Sequence, residues 1–428
     1  MSFGRNVFRL LGLSILFTAS CAQAGQQPRT NPPNANRFAI RAARMLDVER
    51  GVYIRNAVVL GEGEKITAAG AGLSIPPGIR IIDLGDLTLM PGLIDAHTHI
   101  TYHFDETGRF GLTADPNAAV TLRYSEDNAR ATLFAGFTTI RNLGAGGALD
   151  VQLRDRIRGG QVPGPRIIAS SVPLTPDYLD DLADRSLRVA RIREFVRERI
   201  GEGADVIKIF EGVDGRGEPL LSRDEIRAAV EEAARAGLKV AVHAHEAAAI
   251  KAAIEGGSAS IEHGTFLDDE AIRLLVKHHT ALVPTLYLPT HYLEHKSQFA
   301  FGASTWDFFE RLRSRNLSNL GRARKAGAWV VAGSDAVAGL HGTNAREIIW
   351  LVKAGLSPAE AIRAATLDAA ALLGRGGELG EIKAGKLADL VAVEGDPLRE
   401  IGALEQVKFV MLGGRVVKDT GTRSSAQD

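Results

Sequence analysis

The sequence predicts an α/β protein: a (β/α)8 TIM barrel with a small β-sandwich composite domain formed by both chain ends. Three observations predict it. Short apolar runs alternate with helical patterns through the middle of the chain, the signature of parallel βα units. Segments of a different, β-rich texture flank that middle on both sides. Polar residues of metal-ligand type end several of the middle strands, which is where a barrel of this kind keeps its chemistry.

The chain starts with an export-signal pattern over residues 1–24: Arg5 and Arg9, an apolar run from Leu10 to Phe17, then small residues. That run is too short to span a bilayer as a permanent helix. Ala22-Gln23-Ala24 is a cleavage pattern, and Thr18-Ala19-Ser20-Cys21 resembles a lipobox in which Cys21 would carry a lipid anchor. Either cut predicts an exported protein, periplasmic or secreted, or anchored to the envelope. Cys21 is the single cysteine, so a mature chain cut after Ala24 has no disulfide to rely on. A Pro/Asn/Gln-rich linker follows over residues 25–36. Lys plus Arg (51) equals Asp plus Glu (51), so no overall field favours nucleic acid.

Residues 37–89 read as the first part of the sandwich, with strands near 38–46, 58–60, 65–69 and 81–84. Residues 373–420 read as its second part, with strands near 388–393, 407–412 and 415–417, and 421–428 as a flexible tail. Residues 90–372 read as the barrel. Its strands are expected at 93–99, 135–141, 164–169, 205–210, 238–243, 259–263, 281–285 and 329–335. The helix before the fourth, over 182–200, is laced with Arg and Glu on its solvent side.

His97 and His99 end the first strand. Alternation along a strand points them the same way, close enough to hold one ion. Lys208 sits in Val206-Ile207-Lys208-Ile209-Phe210, where a buried ammonium needs a partner. His243, His263 and Asp335 end the fifth, sixth and eighth strands. Each has an ordinary explanation alone: a core histidine, a turn, a loop cap. Their joint recurrence at strand ends does not.

In this order the residues resemble the amidohydrolase superfamily. The resemblance rests on Pro91-Gly92-Leu93-Ile94-Asp95-Ala96-His97-Thr98-His99, Ala204-Asp205-Val206-Ile207-Lys208, Val242-His243-Ala244-His245, Ile261-Glu262-His263-Gly264 and Gly333-Ser334-Asp335. Gly385-Lys386-Leu387-Ala388-Asp389-Leu390-Val391 matches the family's return into the composite sandwich. The closest look is that of the imidazolonepropionase-like and exported Xaa-Pro or Xaa-Arg dipeptidase branch. The chain departs from it at Asn142, at Ser171 to Pro176 and at Glu211 to Asp214.

The resemblance implies two divalent metal ions, zinc by expectation, bridged by a CO2-derived carbamate on Lys208 and by a hydroxide. It assigns His97, His99 and Asp335 to one ion, His243 and His263 to the other, and proton transfer to Asp335. His245 is the rival of His243 on the fifth strand and is expected as a substrate contact, together with Arg141, Tyr287 and His341. The expected reaction is hydrolysis of a C–N bond in a small-molecule amide, a dipeptide or an N-acyl amino acid. Arg141 makes a substrate carboxylate the expected anchor. A cyclic-amide hydrolase or a deaminase is the alternative within enzymes, and Lys208 argues against a one-metal deaminase. A non-catalytic metal-binding lipoprotein is the alternative outside them. A homo-oligomer is expected.

Overall fold

The computed structural model describes residues 36–104, 110–111 and 117–421. The export signal, Cys21, the linker up to residue 35 and the tail from 422 onward lie outside the described residues.

Seven regular parallel strands line the barrel: Leu93–Thr98, Phe137–Asn142, Arg166–Ala169, Val206–Phe210, Lys239–Glu246, Ser260–Phe266 and Ala281–Val283. The first three pair in order, and so do the last four. Single bridges close the ring between them. Leu174 bridges Ile209, joining the third strand to the fourth. At the eighth position, Val330 bridges Leu282 of the seventh strand and Ala336 bridges Thr98 of the first.

The eighth strand is expected as a regular strand and is found as a bent segment. Its backbone still bonds both neighbours: Val331 N donates to Leu282 O (3.0 Å) and Ala96 N donates to Ala332 O (3.0 Å). The bend has two causes. Ser334 gives its backbone N–H to Asp95 Oδ1 (2.9 Å) instead of to a strand neighbour, and its hydroxyl to Asp95 Oδ2. Asp335 then takes a left-handed φ of 54°, uncommon for a residue with a side chain. Gly333 lets this segment come close: a Cβ there would stand 2.4 Å from Val283 Cγ1 and 2.8 Å from His97 Cβ.

Helices cover the ring, starting with Ala118–Phe134 and Leu149–Arg158. Arg185–Gly201 lies before the fourth strand, capped by Asp184. It buries Ile192, Phe195 and Val196 at helical spacing, and its Arg188, Arg193 and Arg197 pair with Glu225, Glu231 and Glu232 of the next helix. Arg223–Arg235 starts with a Ser222/Glu225 capping box, which satisfies two of its free backbone donors. Ala303–Lys325, between the seventh and eighth strands, is the longest described helix.

Both chain ends meet in one eight-stranded sheet. Thr88–Pro91 pairs antiparallel with Leu390–Val393, so Met90 faces Val391. The sheet rolls back on itself, because Lys65 in its far strand bridges Leu387. The enclosed core includes Ile40, Val59, Leu89, Leu390, Phe409 and Met411. Gly92 carries the chain from this sheet into the barrel. A side chain there would sit 2.1 Å from Thr138 Oγ1.

Closure through Gly333 predicts that Gly333→Ala is destabilised by ~1–3 kcal/mol or more, the usual cost of forcing atoms into a packed core. Gly201→Ala, whose added carbon meets nothing within 4 Å, should stay within ~0.5 kcal/mol of the parent, as expected for a surface change. Denaturant unfolding of both variants checks this; equal midpoints would refute the closure argument.

Candidate metal centre

The strand ends bring two groups of ligand-type side chains together. In the first group, His97 Nε2 lies 3.4 Å from His99 Nε2 and 3.4 Å from Asp335 Oδ1, and His99 Nε2 is 3.2 Å from the same oxygen. The second group is His243, His245 and His263. The ring centres of His243 and His263 stand 4.4 Å apart, and those of His245 and His263 4.7 Å. Within each group the ligand atoms lie within 4.8 Å of one another. The groups meet where the His97 and His263 rings stand 5.3 Å apart.

Neighbours fix the ring orientations. His97 Nδ1 bonds Glu262 Oε2 (2.9 Å), so Nε2 faces the group. His263 Nδ1 lies 2.6 Å from Thr285 Oγ1, and His245 Nδ1 lies 2.9 Å from Thr265 Oγ1. A proton held at each Nδ1 leaves Nε2 with a free lone pair. His263, Thr285 and Asp335 all have positive φ, of 74°, 49° and 54°. Strain of this kind concentrates at functional sites.

Burial sets the charge states. It pushes the imidazoles of His97 and His245 down to about 4, and those of His243 and His263 well below their ordinary value. All four are therefore neutral near pH 7, as metal ligands must be. Burial alone would raise the Asp335 carboxyl; His97 and His99 outweigh it and hold the group below its usual range.

Lys208 is 1% exposed, and its Nζ has no hydrogen-bond partner among the described residues. It lies over the Phe210 ring, 4.9 Å from the centroid. Desolvation brings its ammonium down to about 8. Its charge acts on His97 and Asp335 of one group and on His243 and His263 of the other. This orphaned amine stands on the strand that pairs with the one carrying His243 and His245.

A cavity of about 430 Å³ opens over the two groups. Of the four expected substrate contacts, His245 lines it. The other three are not among the residues that line it. Arg141 is 2% exposed and already engaged, donating to Ala96 O (2.5 Å), Ser260 Oγ (3.0 Å) and Glu262 Oε1 (2.8 Å). It supports the carboxylate that holds His97. Tyr287 is buried beside Trp350, with its hydroxyl bonded to Glu294 and Arg346. His341 packs behind the first strand, with Nε2 on His99 O (3.3 Å) and Nδ1 near Thr132 Oγ1 (3.3 Å).

Sequence reasoning assigned no role to Glu262, Thr265, Thr285 or Tyr102, whose ring stacks on His99 at 4.5 Å. One signal was available: Glu262 and Arg141 are opposite charges placed inside apolar strands, where neither is stable unpaired.

Glu262→Gln keeps the shape of the side chain but removes the charge that orients His97 and pairs with Arg141. Metal affinity should fall ~10–100-fold, the usual effect of losing such a support. Competition against a chromophoric chelator measures it, and an unchanged affinity would rule out this role.

A model of the amidohydrolase family matches residues 88–417. The ochratoxinase of Aspergillus niger is 29% identical, over 88% of this chain and 86% of its own. The imidazolonepropionase of Symbiobacterium thermophilum is 28% identical, over 81% and 84%. The solved structure of a Xaa-Pro dipeptidase with methionine bound in its active site superposes with a TM-score of 0.80 at 29% identity, covering 89% of this chain and 100% of that one. With the family match running from the last strand before the barrel through the sheet's final strand, this protein belongs to the amidohydrolase family and is a hydrolytic enzyme.

Proposed function

We propose that the protein is a binuclear metal-dependent amidohydrolase that cleaves the C–N bond of dipeptides or N-acyl amino acids. The observation that carries this reading is Lys208: a buried amine without a hydrogen-bond partner, on the strand that pairs with the one carrying His243 and His245. A lone ammonium there would oppose any cation bound beside it. Near pH 8 part of the amine is unprotonated, and its lone pair can attack CO2 to give a carbamate and release a proton. The +1 group becomes −1, with two oxygens to face the two groups. His97, His99 and Asp335 would hold one zinc ion, and His243 and His263 the other. Two such ions would lower the pKa of water toward neutrality and polarise the scissile carbonyl.

The residues supply the rest. Glu262 and Thr285 keep the imidazoles aimed. Asp335 takes a proton from the attacking water on a carboxylate oxygen and passes it to the departing amine nitrogen. Water adds to the carbonyl carbon, the C–N bond breaks, and acid and amine leave without a covalent enzyme intermediate. A cyclic amide is the competing substrate class, favoured by the imidazolonepropionase relative. A panel of dipeptides, N-acyl amino acids and lactams separates the two.

Asp335→Asn keeps an oxygen donor and tolerates the left-handed φ, but cannot accept the proton. It should retain most metal and lose ~10²–10⁴ in kcat. Near-normal kcat with bound metal would eliminate the assigned role.

Lys208→Ala should lose both metals and turnover. A short carboxylic acid in excess should restore part of each by occupying the bridge. Lys208→Arg should resist that rescue, because a guanidinium keeps its charge and fills the space. Full metal occupancy in Lys208→Ala without added acid would sink the binuclear reading.

A further inference from the structure

Beyond the histidines, the cavity wall is aromatic. The long helix Ala303–Lys325 turns Phe308, Phe309, Leu312 and Asn316 toward it. The Phe308 ring stands edge-on to His245, with centres 5.4 Å apart. Tyr292 stacks on Phe309 at 4.7 Å, and Phe301 meets Tyr292 at 5.4 Å. These rings form a slot that begins at the metal-ligand histidines. Such a wall offers a substrate large apolar contact area and favourable ring-edge geometry, with little hydrogen bonding.

Asn316 interrupts this wall. It is 5% exposed, lines the cavity, and its Oδ1 has no hydrogen-bond partner among the described residues. A buried amide oxygen left unpaired is costly; turning the Asn316 amide about its last side-chain bond would bring this oxygen, closed off as it stands, to the cavity, where a bound donor removes the cost. The helix places it one turn beyond Leu312 and two beyond Phe308.

We propose that this enzyme selects amides bearing an aromatic or comparably large apolar group, seated between Tyr292, Phe301, Phe308 and Phe309, with a hydrogen-bond donor on that group meeting Asn316. Which bond is cut rests on the reading given above; what the slot binds does not. A site built around an unpaired polar atom discriminates strongly against analogues that lack its partner. Asn316 is therefore the residue that distinguishes a hydroxylated or N–H-bearing ring from a plain one.

Methyl ketones test this, since they present a carbonyl with no bond to hydrolyse. Calorimetry on the zinc-loaded protein would compare acetone, 2-acetylnaphthalene and its 6-hydroxy and 7-hydroxy derivatives. The naphthyl ketone should bind at least ~100-fold tighter than acetone, from the apolar area it removes from water. At least one hydroxy derivative should gain about a further ten-fold. Asn316→Leu should abolish that gain while leaving the plain ketone within about two-fold. Asn316→Asp, which keeps the acceptor and the shape, should retain the gain. Equal binding of acetone and 2-acetylnaphthalene overturns the slot. A missing hydroxyl gain, or one that survives in Asn316→Leu, overturns the role of Asn316. Ring-dependent binding without turnover of any amide would overturn the proposed reaction and leave the slot standing. Amide turnover indifferent to side-chain size would do the reverse.

Discussion

The site depends on a buried carboxylate. Glu262 sits inside the barrel, where an unpaired charge is not tolerated. It accepts from Arg141, Ser260 and His97 at once. Burial alone would raise its carboxyl; Arg141 and His97 outweigh that and hold it down at about 2. The group therefore stays ionised, and it fixes the His97 ring through Nδ1. Three strands that are distant in sequence are tied by this one side chain: the first through His97, the second through Arg141, and the sixth, which carries Glu262 itself.

A second buried carboxylate does comparable work for the backbone. Asp95 accepts from the N–H groups of His97 and Ser334, from the Ser334 hydroxyl and from the Asn344 amide. It thereby ties the bent eighth segment to the first strand and sets where Asp335 emerges. The positive φ of Asp335, Thr285 and His263 is held by such bonds around them rather than by local preference. The candidate ligand groups are thus held in place by bonds within the protein, which would lower the cost of ordering them around an ion.

The division of labour follows the fold. Strand ends supply neutral imidazoles and Asp335; the loop and helix after the seventh strand supply the apolar wall. The candidate chemistry sits at strand ends, while the selectivity proposed above sits on the segment after the seventh strand. Arg141, expected to meet a substrate, serves the strand ends instead, and the segment after the seventh strand carries no charge among its cavity-lining residues.

Much of this was legible in the sequence, for a physical reason. Strand periodicity and the βα alternation depend on local spacing, so the barrel and the sheet shared by both chain ends could be read before any contact was known. His97 with His99, Lys208, His243, His263 and Asp335 stood out because polar groups at apolar strand ends are individually expensive. Direction and partnership were not legible. Arg141 and Tyr287 have the chemistry of substrate contacts, yet whether such a side chain meets a ligand or a neighbour depends on residues far away in sequence: Glu262 for the first, Arg346 for the second. The irregular eighth strand, the aromatic slot and the unpaired oxygen of Asn316 likewise exist only once distant segments pack. Local pattern determined which residues could do chemistry; tertiary packing decided which of them face the cavity.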